Sequence, residues 1–272
     1  MRVLTRRPRA VAAVTVLGFL TLSAACASTG SQGTASGTAN AAGGFPVTIS
    51  AADGKVHVPR RPDAIISLSP TATEMLYAIG AGSQVKAVDT DSDYPPQAPR
   101  TKLSGYTPNV EAIVAYKPDL VIVSGTTGGL VQKLAALSVP VLELPAPATV
   151  SGVYAEFDQL GRATGHLAQA EREDASLRAQ IKEIAASVSR HSSPRTYYWE
   201  LDQTYYSLTS STFVGQLLSL LGMKSIADTA RGAAAAGGYP QLSSEFIVRA
   251  NPDYVILADT VCCHQDAAWP PR

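Results

Sequence analysis

The 272-residue chain has little cysteine and little charge, and each shortage excludes a class of protein. Beyond position 26 the cysteines are Cys262 and Cys263, so no disulfide framework supports the fold. Lysine plus arginine number 22 and balance 22 acidic residues, with no basic stripe, which argues against nucleic-acid binding. His57, His166 and His191 lie far apart in sequence and form no zinc-binding pattern.

The first 44 residues have the composition of a targeting segment followed by a tether. Residues 1–25 predict a signal peptide, with a basic start and an apolar stretch too short to span a bilayer comfortably. Small residues precede Cys26, as in the lipobox of bacterial lipoproteins, where the cysteine becomes the lipid-modified first residue. Residues 26–44 lack large apolar side chains and predict a flexible tether. We therefore expect export and a lipid anchor at the outer face of the cytoplasmic membrane; ordinary secretion with Cys26 free is the alternative.

Two stretches far apart in the chain carry nearly the same sequence. Asn109–Val123 reads NVEAIVAYKPDLVIV, and Ser243–Leu257 reads SSEFIVRANPDYVIL. Each predicts a short helix with glutamate in its first turn, stopped by proline, and then a buried strand. A unit that recurs once indicates two similar lobes rather than a solenoid, which needs at least three copies. Glu111 and Glu245 occupy the same position in the two copies.

Strand and helix patterns alternate on both sides of a helical segment. Pro46–Pro59 predicts a hairpin that turns at Asp53-Gly54. Further strands are predicted in the first half at Ala64–Leu68, Val85–Val88, Leu120–Val123 and Val139–Leu144, and in the second half at Thr196–Leu201 and Tyr254–Leu257. Helices are predicted between them, at Phe213–Leu221 and Glu245–Ala250 among others, and this alternation is typical of parallel α/β sheets.

The segment between these halves has no strand pattern. Apolar residues from Leu167 to Val188 recur at helical spacing, which predicts one long helix. We expect an α/β fold of two similar lobes, each a parallel sheet flanked by helices: an N-terminal lobe (45–150), a bridging helix region (151–192) and a C-terminal lobe (193–272). One continuous α/β domain with a long surface helix is the alternative.

The second copy of the repeat has a shorter continuation than the first. After PDLVIV the first lobe adds a helix and another strand, whereas PDYVIL is followed by ADTVCCHQDAAWPPR. The repeat therefore predicts a C-terminal lobe that is incomplete, with a truncated C-terminus and an exposed sheet edge.

Four segments in order resemble one known family. They are SLSPTATEMLYAIGAG (Ser67–Gly82), SDYPP (Ser92–Pro96), NVEAIVAYKPDLVI and YPQLSSEFIVRANPDYVIL. They are similar to the helical-backbone class of substrate-binding proteins of ABC importers, which carry cobalamin, ferric siderophores or haem, and the nearest likeness is to cobalamin-binding members. The resemblance implies a rigid two-lobed clamp, monomeric and without enzymatic activity. Such a clamp binds a corrinoid or ferric chelate and hands it to a permease dimer with its ATPase.

The resemblance also implies roles for the paired glutamates. In the family, a glutamate at each of these helix starts docks into a basic pocket of one permease subunit, which here assigns docking to Glu111 and Glu245. The alternative is that each glutamate stabilises a helix N-terminus by a few tenths to about 1 kcal/mol.

Ligand contacts are expected in loops at the carboxyl ends of strands. By resemblance, Tyr106, Tyr206 and Tyr239 stand at or near the positions of pocket aromatics, and Asp91 stands where cobalamin-binding relatives place a tyrosine. Asp259 opens the loop after the last predicted strand. A tyrosine combines an apolar face with a hydroxyl and suits a broad amphipathic macrocycle, although core or rim packing explains any single tyrosine equally well.

Three further interpretations stay open at this point. Cys262-Cys263 is read as two cysteines in a loop, because a vicinal disulfide is strained and a soft metal site lacks further ligands. A chelatase-like enzyme that inserts metal into a tetrapyrrole requires a His/Glu pair in one cleft, and none is evident. A surface lipoprotein without a transport role is compatible with the shorter second lobe.

Overall fold

The computed structural model describes residues 44–52, 54–125, 129–188 and 193–260, and its strands form one hairpin and two parallel sheets. The strands are β1 (Val47–Ala51), β2 (Gly54–Val58), β3 (Ile65–Leu68), β4 (Val85–Asp89), β5 (Arg100–Leu103), β6 (Leu120–Val123), β7 (Val141–Glu143), β8 (Arg195–Glu200), β9 (Met223–Ser225) and β10 (Tyr254–Leu257). The first parallel sheet has the order β5-β4-β3-β6-β7 and the second the order β10-β8-β9.

Helices connect the strands and cover the sheets. They are α1 (Pro70–Ala78), α2 (Val110–Val114), α3 (Leu130–Ala136), α4 (Val150–Thr164), α5 (Leu167–Ser187), α6 (Phe213–Leu220) and α7 (Ser244–Ala250), with 3₁₀ turns at Gly82–Gln84 and Ile226–Thr229. The first sheet has an apolar core on each side, one lined by α1 and α4 and the other by α2 and α3. The predicted α/β architecture with parallel sheets flanked by helices is confirmed.

Local sequence signals set the start of the first helix. The Ser69 hydroxyl accepts a hydrogen bond from the Ala72 N–H, and Pro70 occupies the first helical position, where its missing N–H costs nothing. Met75 and Leu76 then face the core, as their helical spacing predicts. This turn fixes how the chain leaves the carboxyl end of β3.

The helical segment between the sheets differs in detail from its prediction. It contains two helices, and the long one, α5, ends at Ser187. Its apolar stripe is buried at Ala170 but emerges toward the carboxyl end, where Ile184 is 56% exposed. Val188, just after the end of the helix, is exposed as well. Arg178 lies over the Tyr154 ring of α4, 3.7 Å from its centroid, and joins the two helices.

The structure reproduces the sequence repeat at the start of its helices. The Asn109 side chain accepts a hydrogen bond from the Ala112 N–H at the start of α2. The Ser243 hydroxyl accepts one from the Phe246 N–H at the start of α7. Each short helix is therefore capped at its N-terminus by a side chain that accepts the N–H three residues later. Asparagine does this in one copy and serine in the other.

An aspartate after each helix ties the repeat to the neighbouring strand. Asp119 accepts hydrogen bonds from the backbone N–H groups of Asp63 and Ala64, 2.9 and 3.1 Å away, just before β3, and pairs with Arg60. Burial alone raises the pKa of Asp119, but these hydrogen bonds and the Arg60 charge outweigh it and hold the pKa below its usual value.

Asp253 makes the same connection in the second sheet. It accepts the Thr196 N–H at 2.7 Å and pairs with Arg195 at 2.8 Å, both at the start of β8. The hydrogen bond from the Thr196 backbone, followed by the one from Arg195, holds the pKa of Asp253 below its usual value. Each aspartate thus aligns the repeat's strand with the central strand of its sheet.

The repeat places one residue in the left-handed region in each copy, between helix and strand. Asn251 has φ 45°, and Lys117, its counterpart, has φ 52°. Asparagine tolerates this region because its short polar side chain can hydrogen-bond to the nearby backbone. A residue such as lysine, whose side chain cannot do so, is strained there by about 1–2 kcal/mol. Lys117 therefore adopts a backbone conformation that asparagine adopts more easily than lysine.

The two copies differ in how their strands are covered. All four residues of β6, which lies between β3 and β7, are buried. Within the described residues β10 pairs with β8 alone, and its Tyr254 and Val255 are about half exposed. Among the described residues β10 is therefore an edge strand of its sheet, and the incomplete C-terminal lobe stays a prediction.

Lys117→Asn is expected to stabilise the protein by about 0.5–1 kcal/mol, because it relieves part of the left-handed strain without removing a buried contact. The measurement is the free energy of unfolding from reversible chemical denaturation. Asn251→Lys is the matched control and should lose stability by a similar amount. Equal stability of both variants and the parent would contradict the assignment of strain to Lys117.

Candidate ligand-binding site

Four of the five predicted ligand residues follow the carboxyl ends of strands. Asp91 comes after β4 and Tyr106 after β5, while Tyr206 comes after β8 and Asp259 after β10. The carboxyl ends of parallel strands meet at one edge of a sheet, where open α/β sheets bind their ligands. Tyr239 lies in the segment between β9 and α7 and reaches the same edge by a different route.

In the first lobe, the loops that carry Asp91 and Tyr106 begin side by side. The Thr90 N–H donates to the Leu103 carbonyl at 2.9 Å, which continues the pairing of β4 with β5 into the loops. Tyr106 is 80% exposed at the tip of a turn in which Ser104 Oγ accepts its backbone N–H. The backbone of Tyr106 is therefore fixed by the turn, while its ring is open to solvent.

Beneath the Asp91 loop lies a buried hydroxyl and carboxylate network. Thr73 Oγ1 lies 2.9 Å from Ser67 Oγ and 3.0 Å from Ser92 Oγ, and Ser92 donates to Asp89. Burial raises the pKa of Asp89, and the hydrogen bond from the Ser92 hydroxyl opposes that shift. The network joins β3, α1 and β4 at the edge from which the loop emerges.

In the second lobe, the structure brings Tyr206 and Tyr239 onto two paired segments. Tyr206 forms an antiparallel bridge with Gln241. The Ser207 N–H donates to the Pro240 carbonyl at 3.0 Å, and the Leu242 N–H donates to the Tyr205 carbonyl at 3.0 Å. The two rings are 41% and 44% exposed, which is compatible with either ligand contact or rim packing.

A strained residue turns the chain immediately before Tyr206. Tyr205 has φ 66°, in the left-handed region that a bulky side chain rarely adopts. Asp202 Oδ1 accepts hydrogen bonds from the N–H and the hydroxyl of Thr204 and closes the preceding turn. Backbone strain of this kind occurs where surrounding contacts fix it, commonly at binding sites.

Asp259 is fully buried, next to an acidic group that the sequence analysis missed. Tyr198 donates from its hydroxyl to Glu200 at 2.8 Å, and Glu200 is 5% exposed at the end of β8. Burial raises the pKa of Glu200, the Tyr198 hydrogen bond lowers it, and the nearby Asp259 charge raises it further. The Ala258 N–H donates to the Glu200 carbonyl, which places Asp259 at this edge. The assignment of Asp259 to ligand contact stays a prediction.

Glu111 and Glu245 are both exposed in the first turn of α2 and α7. Hydrogen bonds from its own backbone N–H and then from Ser243 lower the pKa of Glu245, which is therefore anionic at neutral pH. Nothing buries either carboxylate, so both are accessible to a partner. The geometry is equally compatible with stabilisation of the two helix termini.

Several predictions concern residues outside the described ranges. Cys26, with the signal peptide and tether, lies outside them, as do His191, Cys262 and Cys263. Among the described residues, no group of three or more His, Cys, Asp or Glu side chains is arranged to hold a metal ion. Within the same ranges no helix combines the length and apolarity that crossing a bilayer requires.

Comparison with known proteins identifies the family of this fold. Residues 65–266 match the sequence profile of the family described as periplasmic binding protein. The chain belongs to the periplasmic binding protein family. The match covers both parallel sheets, so the family assignment applies to both halves of the repeat.

The similar proteins are binding proteins. A vitamin B12-binding protein of Pectobacterium atrosepticum is 32% identical over 222 residues, which cover 78% of this chain and 77% of that protein. The crystal structure of the periplasmic vitamin B12 binding protein of Vibrio cholerae is 26% identical, with a TM-score of 0.58, and covers 76% of this chain and 80% of its own.

A third similar protein is a possible iron-binding, periplasmic solute-binding protein from Staphylococcus epidermidis. It is 25% identical, with a TM-score of 0.65, over 74% of this chain and 78% of its own. These structures share the two-lobed fold and confirm the predicted architecture. The resemblance to cobalamin-binding members inferred from four sequence segments is confirmed as well.

Proposed function

We propose that this protein is the substrate-binding component of an ABC importer, which captures a corrinoid between its lobes and delivers it to a membrane permease. The observation that carries this proposal is the 32% identity to a vitamin B12-binding protein over 78% of this chain. A protein that binds its ligand between two lobes also gives a reason for the repeat, because each lobe supplies one side of the site.

The exposed tyrosines supply a suitable surface for such a ligand. Tyr206 and Tyr239 lie on paired segments of the second lobe, and Tyr106 is almost fully exposed on the first. Tyrosine rings offer apolar area at low entropic cost, and their hydroxyls hydrogen-bond to a macrocycle's polar rim. The protein needs no resident cofactor for this function, and it performs no chemistry on its ligand.

A ferric siderophore or haem is the alternative ligand. The similarity to a possible iron-binding protein of Staphylococcus epidermidis supports it, since that structure has the higher TM-score, 0.65 against 0.58. A large flat macrocycle and a ferric chelate both present apolar faces with polar edges. The same tyrosines therefore serve either ligand, and direct titration separates the two.

Tyr206→Ala and Tyr239→Ala should each weaken ligand binding by about tenfold, which corresponds to about 1.4 kcal/mol of lost contact. The measurement is calorimetric titration of the purified protein with cyanocobalamin, hemin and a ferric hydroxamate. Tyr116→Ala is the matched control, since Tyr116 is 40% exposed beyond the carboxyl end of α2. If both cleft variants bind as tightly as this control, neither tyrosine belongs to the site.

Glu111 and Glu245 are the proposed docking contacts with the permease. They are exposed, occupy equivalent positions in the two lobes, and follow the loops at the carboxyl edges. Exposed charges at an interface act mainly on association rate and its salt dependence. A docking role therefore separates cleanly from ligand affinity, whereas a helix-terminus role appears as a stability change.

Glu111→Lys and Glu245→Lys should each abolish ligand uptake in cells that carry the permease, while calorimetric affinity stays within twofold of the parent. Raising ionic strength should weaken the complex of the parent protein with its permease. Glu183→Lys, an exposed reversal on α5, should leave uptake normal. Normal uptake in both docking variants, with stability lower by about 1 kcal/mol or less, would leave the two glutamates as helix-terminus residues.

We also propose that a lipid on Cys26 anchors the exported protein to the outer face of the cytoplasmic membrane. The small residues before Cys26 and the Gly/Ser-rich stretch after it support this proposal. The folded body stays monomeric on its tether.

Cys26→Ala should move the protein from the membrane fraction to the soluble exported fraction, because the lipid attachment is lost. Cell fractionation with immunodetection measures the shift, and mass spectrometry establishes that the signal peptide is still removed. Continued membrane association of the cleaved variant would contradict the anchor.

A further inference from the structure

In the second lobe, one carboxylate holds the loop that carries Tyr206. Asp228 Oδ1 accepts the Ser210 backbone N–H at 2.7 Å, and Asp228 Oδ2 accepts the Ser210 hydroxyl at 2.8 Å. Asp228 lies in the short 3₁₀ turn after β9, so these bonds tie the loop to the sheet. Both oxygens of the carboxylate are used, each for a different donor.

A serine of β9 reinforces the same attachment. The Ser225 N–H donates to Ser210 Oγ at 3.1 Å, and the Ser225 hydroxyl donates to the Leu208 carbonyl at 2.6 Å. Ser225 is paired with Tyr197 of β8. On one side, side-chain hydrogen bonds therefore connect the loop to the edge strand β9, which pairs with the central strand β8.

The other side of the loop rests on the segment that carries Tyr239. The Thr209 N–H donates to the Gly238 carbonyl at 2.8 Å. A Cβ atom at Gly238 would lie 2.9 Å from Thr209 Oγ1, and one at Gly215 would lie 2.1 Å from the Thr209 carbonyl oxygen. A side chain at either position would displace atoms of the loop, so the loop packs closely against both glycines.

The first lobe uses the same device for the loop that carries Asp91. Ser92 donates both its backbone N–H, at 3.1 Å, and its hydroxyl to Asp89. Asp89 ends β4 and is 2% exposed. A Cβ atom at Gly105, in the adjacent Tyr106 turn, would lie 2.7 Å from the Leu68 carbonyl oxygen and 2.9 Å from Asp89 Oδ2, so this turn packs directly against the end of β3 and the carboxylate.

We propose that Asp228 and Asp89 are positioning residues of the ligand cleft: each holds, through one serine, the loop that presents the ligand-facing side chains of its lobe. The inference rests on the proposed function for its ligand, but the loop geometry itself is independent of that ligand. Neither aspartate contacts the ligand. Each acts on affinity by keeping Tyr206 or Asp91 in one place before binding, which avoids the entropic cost of ordering a loop.

The two aspartates differ in how many of their carboxylate oxygens accept hydrogen bonds from the serine, so an asparagine substitution should affect them differently. At Asp89, both donors of Ser92 go to the same oxygen, Oδ1. An asparagine there keeps that acceptor, so Asp89→Asn preserves the attachment. At Asp228 the two donors go to different oxygens. An asparagine there keeps the acceptor of the Ser210 N–H but replaces the charged acceptor of the Ser210 hydroxyl with an NH₂ group, to which the hydroxyl can only accept, so Asp228→Asn weakens the attachment without abolishing it.

The experiment combines amide hydrogen exchange by NMR with calorimetric titration of cyanocobalamin, hemin and a ferric hydroxamate. In Asp228→Ala, the amides of Ser207 and Thr209 should exchange at least tenfold faster, although their acceptors, Pro240 and Gly238, are untouched. The Ile247 amide of α7 should exchange at the parent rate. The dissociation constant should rise at least fivefold, with Asp228→Asn intermediate.

In the first lobe, Asp89→Ala should raise the dissociation constant at least fivefold and speed exchange of the Asp93 amide, which donates within this loop. Asp89→Asn should restore both to within twofold of the parent. This rescue by the conservative variant separates positioning from a need for negative charge near the ligand, since the asparagine is neutral.

Two results overturn the proposal. Unchanged exchange at Ser207 and Thr209 in Asp228→Ala would show that the loop does not depend on Asp228. Faster exchange at Ile247 to the same degree would show that Asp228 merely stabilises the whole lobe. If the parent protein binds none of the three probes, the proposed function fails, and the exchange data alone decide whether the aspartates position the loops.

Discussion

The structure depends on one interaction made twice: an aspartate after Pro118 or Pro252 accepts backbone N–H groups at the start of the neighbouring central strand. Asp119 does so before β3, and Asp253 does so at β8. A parallel strand pair has no hairpin to set its register, so a side chain that binds the partner's backbone takes over that task. Once the register is set, the carboxyl ends of the strands coincide. The loops that leave those ends are then brought together at one edge in each lobe.

The predicted ligand residues lie at that edge in each lobe. In each lobe a serine–aspartate contact holds one loop, and exposed side chains project from it. The core below is buried on both sides of the first sheet, so the edge rests on a rigid base. Rigidity matters for a binding protein, because surfaces that are ordered before the ligand arrives lose less entropy when it binds. Glu111 and Glu245 lie on α2 and α7, the helices that follow the segments carrying Tyr106 and Tyr239.

Much of the fold follows from local sequence signals. The cap at Ser69-Pro70, the buried run of β3 and the helix–proline–strand repeat were all predictable, since each is a pattern within about fifteen residues. Two edge strands, β5 and β9, were missed. RTKL in β5 and MKS in β9 are short and partly polar, and they form because a neighbouring strand offers hydrogen-bond partners. Such pairing is non-local, so no window of sequence contains it.

The candidate site also has features that local sequence shows and features that it does not. The sequence by itself determined the family, the equivalence of Glu111 and Glu245 and the presence of tyrosines in the loops, because these follow from motifs and their order along the chain. Only the tertiary structure decided that Tyr206 and Tyr239 lie on paired segments, that Glu200 and Asp259 are buried together, and that Asp228 holds Ser210. Each of these relations joins residues 18 or more positions apart, and side chains that distant meet only after the sheet has fixed their register.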